Sequence, residues 1–259
     1  MNEMTTRLDT LALEQKVKAM YRDVATKPEG EFHFEMGRGL AETLGYPAED
    51  LDRLPDDAIR SFAGVGYYFD LAPLLPGAVV VDLGSGSGMD SFLAANKVGE
   101  QGKVIGIDMT DEQLGKAERL RQAAGYDQVE FRKSYIQTTG LASETCDFVI
   151  SNGVINLAPD KDEVFREAAR LLRRGGRLVL ADIVTERDLP EGISCDATLW
   201  AACIGGAVRV ERYRAGIEAA GLQVETIRDN PQYRFISQNA IGASRKYGVK
   251  SVSLVARKI

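Results

Sequence analysis

The stretch Val79-Val80-Val81-Asp82-Leu83-Gly84-Ser85-Gly86-Ser87-Gly88-Met89-Asp90 decides the fold. Its β-branched apolar run reads as a buried parallel strand. The run ends in an acid and enters glycines at alternate positions, which let the chain turn sharply and let a ligand lie against bare backbone. The next segment, 90–97, reads as the start of a helix whose free N–H groups face that ligand. Strand, glycine turn and helix in this order make the first βα turn of a doubly wound, nucleotide-binding sheet.

The glycine register separates two kinds of ligand. A dinucleotide site has G-x-G-x-x-G, and that register needs glycine at 89, where the chain has Met89. The pattern here is G-x-G-x-G, with Asp82 just ahead of it. An acid there suits a cationic amino group and repels a pyrophosphate. The arrangement resembles the first motif of class I methyltransferases, which bind S-adenosylmethionine (AdoMet). A second strand, Gly102-Lys103-Val104-Ile105-Gly106-Ile107-Asp108-Met109, also ends in an acid. Asp108 can accept two hydrogen bonds from a ribose diol. Its structural alternative is the cap of the helix that opens at Thr110-Asp111-Glu112.

Bulk properties bound the rest. The 259 residues fit one large domain or a core with appendages. Apolar residues make up 44% of the chain, enough for a sizeable core, and the net charge of −6 argues against nucleic acid as a partner. No run approaches the ~20 apolar residues of a membrane helix. The segment 1–16 is charged and lacks the apolar core of a signal peptide. With 3 cysteines there is no disulfide framework, so reduced thiols in the cytoplasm are expected. No metal-ligand spacing is present.

Residues 1–75 lack strand–helix alternation and read as an N-terminal helical cap or lid, with an amphipathic helix over 13–24. Residues 76–259 read as the binding core. Strands are expected at 79–83, 103–107, 128–132, 146–151, 176–183, 222–228 and 251–257, and helices at 90–97, 110–124, 160–174 and 208–220. Gly175-Gly176 is read as the stop of the 160–174 helix. The segment 184–207 interrupts the alternation where a lid or substrate element belongs.

Three runs resemble the arsenite methyltransferase family: Gly106-Ile107-Asp108-Met109-Thr110, Ser151-Asn152-Gly153-Val154-Ile155-Asn156-Leu157-Ala158-Pro159-Asp160-Lys161, and Cys203-Ile204-Gly205-Gly206-Ala207. The resemblance implies a Rossmann-like, seven-stranded class I methyltransferase sheet, α/β in class, with the last strand antiparallel. It also implies AdoMet as methyl donor. Family members bind trivalent arsenic through cysteine thiolates, soft ligands for a soft metalloid. At the three corresponding places this chain has Val65, Gly153 and Cys203, so two of the three thiols are missing. The expected function is therefore in-line methyl transfer to a small-molecule acceptor, with arsenite as the alternative acceptor. Readings of another class are an NAD(P)-dependent oxidoreductase and a noncatalytic AdoMet-binding module.

The expected cofactor residues are Asp82, Gly84, Ser85, Gly86, Asp108, Met109, Tyr135, Ile136, Asn152 and Tyr21. Gly84, Ser85 and Gly86 face the methionine portion through backbone. Met109 packs on adenine, a use suited to its polarisable side chain. Ile136 and Tyr135 lie beside the adenine by resemblance. Asn152 offers its carbonyl or side chain to the amino group; its alternative is an Asx turn. Tyr21 comes from the helix that folds over the cofactor in the family; its alternative is core packing. Cys203 is the candidate catalytic residue, weighed against an ordinary buried cysteine. His33, the one histidine, reads mainly as packing, and Trp200, Tyr67, Tyr68 and Phe69 as either acceptor pocket or core.

Overall fold

The computed structural model describes residues 8–201 and 203–259. Its centre is a seven-stranded sheet: β1 (Val79–Leu83), β2 (Lys103–Asp108), β3 (Val129–Lys133), β4 (Cys146–Asn152), β5 (Leu172–Val184), β6 (Leu222–Asp229) and β7 (Lys250–Lys258). The strand order is β3-β2-β1-β4-β5-β7-β6. β1 to β5 are parallel, whereas β7 runs antiparallel to both β5 and β6. This is the seven-stranded sheet, with its last strand antiparallel, that the resemblance implies.

Helices cover both faces: α1 (Thr10–Thr26), α2 (Gly37–Leu44), α3 (Ala48–Leu51), α4 (Asp56–Arg60), α5 (Met89–Val98), α6 (Asp111–Ala124), α7 (Lys161–Leu171), α8 (Glu191–Ser194), α9 (Ala197–Ala201), α10 (Val210–Ala219) and α11 (Gln238–Tyr247). Two apolar clusters follow from this layering. One joins Val80, Phe92 and Val179 to Leu13, Leu40 and Tyr68 from the N-terminal helices and their connecting loop. The other gathers Val81, Val149, Phe165 and Tyr213 on the opposite face. The segment before β1 therefore shares a core with the sheet. No helix among the described residues is long and apolar enough to cross a membrane.

Two features differ from the sequence expectation. α7 ends at Leu171, because Leu172 is already extended (φ −66°, ψ 139°) and pairs with Cys146. Gly175, at φ +79°, lies within β5, where the register to β4 shifts, and does not stop a helix. α11 was not expected at all. Its local signals are the Ser237 hydroxyl, which accepts from the Ala240 N–H, and Gly248 in the left-handed conformation after the last turn.

Candidate functional site

The turn after β1 is built from glycines at φ +82° (Gly84), +53° (Gly86) and +94° (Gly88). A Cβ on Gly84 would lie 2.4 Å from a Val154 methyl, so any side chain there collides as well as straining the backbone. Gly86 differs, since nothing lies within 3.7 Å of a Cβ built on it. Its backbone faces open space. The Gly84 and Ser85 N–H groups both donate to the Ile107 carbonyl (2.7 and 3.0 Å), which fixes the turn to the end of β2. The Gly86 N–H donates to Asp108 Oδ2 at 3.0 Å, and the Thr110 N–H to Asp108 Oδ1 at 2.8 Å.

These elements open onto a cavity of about 310 Å³. It brings together all ten residues expected to face a cofactor: Tyr21, Asp82, Gly84, Ser85, Gly86, Asp108, Met109, Tyr135, Ile136 and Asn152. α1 supplies one wall through Leu13, Glu14 and Val17. Four carboxylates line the space (Glu14, Asp82, Asp90 and Asp108), and no Lys, Arg or His does among the described residues. Burial and the neighbouring Asp90 push Asp82 up to about 8, against the opposing hydrogen bond from Ser91 (2.6 Å). Burial also raises Asp108, opposed by the N–H groups of Thr110 and Gly86. Buried carboxylates of this kind favour a cation beside them, because its charge offsets their desolvation. The Ser85 hydroxyl is buried without a hydrogen-bond partner. An orphaned donor, exposed glycine backbone and an excess of negative charge together fit the donor set that AdoMet needs.

Asp90, at the second position of α5, was missed by sequence reasoning. Its carboxylate accepts from the hydroxyls of Tyr46 (2.7 Å) and Tyr68 (3.0 Å) and from Asn152 Nδ2 (3.0 Å). Burial raises its pKa, and those three donors oppose the rise. The acid directly after the glycine turn was visible in the sequence; its partners were not. Asn152 is engaged as well. Its Oδ1 accepts from the Val65 N–H at 2.7 Å, and its Nδ2 also donates to the Gly66 carbonyl and the Tyr46 hydroxyl, both at 3.0 Å. The side chain therefore holds the 64–68 loop.

At the rim, the Tyr135 hydroxyl donates to Glu14 (2.7 Å), and Lys18 Nζ lies 5.3 Å from the Tyr135 ring centre. Tyr21 is half-buried; its carbonyl accepts from Gln113 Nε2, and its ring stacks on Phe34.

Of the two readings of Cys203, a functional thiol and an ordinary buried cysteine, its surroundings favour the second. It is buried, does not line the cavity, and adopts φ +60°. Burial and the nearby Asp182 push its thiol up to about 12, which disfavours the thiolate that a nucleophile or soft ligand requires. Cys146 is also buried, at the start of β4, with its thiol on the Leu171 carbonyl. Among the described residues no group of three or more His, Cys, Asp and Glu could hold a metal ion. Trp200, Tyr67, Tyr68 and Phe69 stay out of the cavity: Tyr46 packs against Tyr67 and Phe69, and the Trp200 indole N–H donates to the Ser194 carbonyl. His33 packs edge-on to Phe34, likewise outside it. No described residue of 184–207 lines the cavity either; α9 packs on α1, with Lys16 Nζ 2.8 Å from Thr198 Oγ1.

Comparison with known proteins gives a consistent picture. The model of a methyltransferase domain matches residues 74–231. An arsenite methyltransferase of Halobacterium salinarum is 38% identical over 221 residues, 84% of this chain and 56% of that protein. The chain thus spans about half the length of this curated relative. Among solved structures, an arsenic(III) S-adenosylmethionine methyltransferase from Chlamydomonas reinhardtii superposes with a TM-score of 0.64 at 28% identity, covering 86% of this chain and 74% of that one. A geranyl diphosphate C-methyltransferase from Streptomyces coelicolor shares the fold, with a TM-score of 0.70 at 16% identity over 95% and 98% of the two chains.

Proposed function

The chain belongs to the methyltransferase-domain family, and from that premise we propose that it moves a methyl group from AdoMet to a small-molecule acceptor. The observation that carries this reading is the acidic, glycine-floored cavity with the unpartnered Ser85 hydroxyl. AdoMet supplies a methyl group made electrophilic by its sulfonium. Asp108 would receive the ribose diol on its two oxygens, exchanging its bonds with Gly86 and Thr110 for those of the ligand. Asp82 would balance the ammonium group. The backbone at 84–86 and the Ser85 hydroxyl would hold the methionine end, with Met109 and Ile136 against the adenine and Tyr135 closing the rim.

The chain's remaining task is alignment. The acceptor atom, methyl carbon and sulfur have to be held in line at about 3 Å with water excluded. Phe62, Ala63, Gly64, Val154 and Leu157 give the cavity an apolar wall for this. No Lys, Arg or His lines it among the described residues, and its carboxylates are taken up by the cofactor, the 64–68 loop and the rim, so an acceptor that gives up its proton readily, such as a thiol or an acidic carbon, suits it best. A pyrophosphate is poorly served by four carboxylates, which weighs against an NAD(P) enzyme.

Arsenite is the second reading, supported by the named activity of the Halobacterium relative. Opposing it, Val65 and Gly153 stand where the resemblance places two thiols, and a Cβ on Gly153 would lie 3.2 Å from Val65 Cγ1. The two positions face each other, and an isopropyl group fills the space between them. Calorimetric titration with S-adenosylhomocysteine and with NADH tests the cofactor, and failure to bind the former sinks the proposal. Incubation with AdoMet, arsenite and a thiol reductant, followed by mass spectrometry, tests the acceptor: methylated arsenic establishes the second reading and its absence removes it.

A further inference from the structure

We propose that Asp90 is a positioning residue that reports the charge of the bound cofactor to the 64–68 loop, holding the loop while a sulfonium is present and loosening it once the methyl group has left. This rests on the AdoMet reading above. One buried carboxylate collects three donors from three distant parts of the chain: Tyr46 after α2, Tyr68 before β1 and Asn152 at the end of β4. Asn152 then clamps the loop directly, accepting from the Val65 N–H and donating to the Gly66 carbonyl. The loop reaches across the sheet, where Ser251 Oγ donates to the Val65 carbonyl at 2.6 Å and Ser253 Oγ to the Tyr67 carbonyl at 3.2 Å. Asp90 and Gly64 both line the cofactor cavity, so the network runs from the ligand's side of the turn to the cavity wall.

The physics is that of a buried charge. An ionised carboxylate is a much stronger acceptor than a neutral one. Burial disfavours that ionised form, and the three hydrogen bonds it receives oppose the rise in pKa. A cation in the cavity restores it and tightens the bonds from Tyr46, Tyr68 and Asn152. Methyl transfer converts sulfonium to neutral thioether and removes this support. The loop then relaxes at the moment when product has to leave. Binding of the donor would likewise set the wall against which the acceptor is received.

The test uses the full chain and two ligands of nearly one shape. Sinefungin carries an ammonium-bearing carbon where AdoMet has its methylated sulfur; S-adenosylhomocysteine carries a neutral sulfur. Hydrogen exchange of the segment 62–69, which contains the clamped Val65 amide, is measured with each ligand at saturation. The expected result is exchange roughly fivefold to tenfold slower with sinefungin than with S-adenosylhomocysteine. In Asp90→Asn, which keeps the shape and removes the charge, the two ligands are expected to protect within about twofold of each other. A purely structural Asp90 would instead lower protection by both ligands alike. Equal protection of the wild-type segment by the two ligands overturns the proposal and leaves the cofactor reading intact; binding of neither ligand overturns both. Should the variant not fold, equal protection of the wild-type segment by the two ligands still overturns the proposal.

Discussion

At the carboxyl end of β1 the chain builds a turn from glycines in the left-handed region, and its polar atoms are fixed by neighbours close in sequence or on the adjacent strand. At the carboxyl end of β5 it builds the segment 186–207 from two short helices, and the environment of Cys203 there depends on residues far away, among them Tyr21, Asn156 and Asp182. Both stretches lie where a doubly wound sheet places its ligands. Among the described residues, only the first lines the acidic cavity. A site made from backbone conformation and strand ends is specified locally. One made from packed helices is specified by the whole fold.

The strongest way to break this contrast is at Gly84. Gly84→Ala would force a methyl group against Val154 at a φ of +82°, and a loss of about 3 kcal/mol in stability is expected by chemical denaturation. Gly86→Ala, with open space before it, should cost only about 1 kcal/mol in stability yet weaken ligand binding, because its methyl occupies the cavity floor. Equal stability losses at the two positions would show that the turn is not divided into a packed and an open half.

Asp108→Ala comes next. Loss of two charged acceptors is expected to weaken S-adenosylhomocysteine binding by about 2–3 kcal/mol, or roughly 30- to 150-fold, by calorimetry. A change of less than about threefold would return Asp108 to the role of a turn cap.

A smaller effect follows from Asp82. Its folded pKa, about 8, is above the ordinary carboxyl range, so its contribution to ligand-free stability is full below about pH 4 and is lost as pH rises through about 8. A cation that binds the ionised form reverses this dependence. AdoMet affinity should rise about tenfold between pH 6.5 and 7.5, with proton release on binding. A flat profile over that range would remove Asp82 from the cation's partners.

The mildest perturbation is at the rim. Tyr135 is 42% exposed, and Tyr135→Phe removes one solvated hydrogen bond to Glu14. Less than about 1 kcal/mol is expected, seen as a twofold to fivefold faster dissociation of S-adenosylhomocysteine in stopped flow. A larger effect would make the α1 contact a principal closure.

The same contrast explains what could be read from the residues. Asp82, the glycines and Asp108 announce themselves because strand ends and turns are short-range structures. Asp90 did not, since its donors are 22, 44 and 62 residues away and no local pattern links them. Cys203 stayed open between a functional thiol and a buried cysteine, because a thiol's availability depends on what packs over it. The end of α7 was misplaced because Gly175-Gly176 serves equally as a helix stop or as an irregular stretch of a strand, and pairing of Leu172 with Cys146 chose the second.

The position of β7 has a consequence for how the molecule is made. β6 emerges from the ribosome before β7, yet it has no partner in the sheet until β7 arrives between it and β5. Until then β5 carries an open edge and β6 is unpaired, the condition in which nascent strands associate wrongly. Completion of the sheet thus waits for its second-last position to be filled by the strand synthesised last of the seven. A pause in translation after β6 would lengthen the most aggregation-prone interval of this chain's folding.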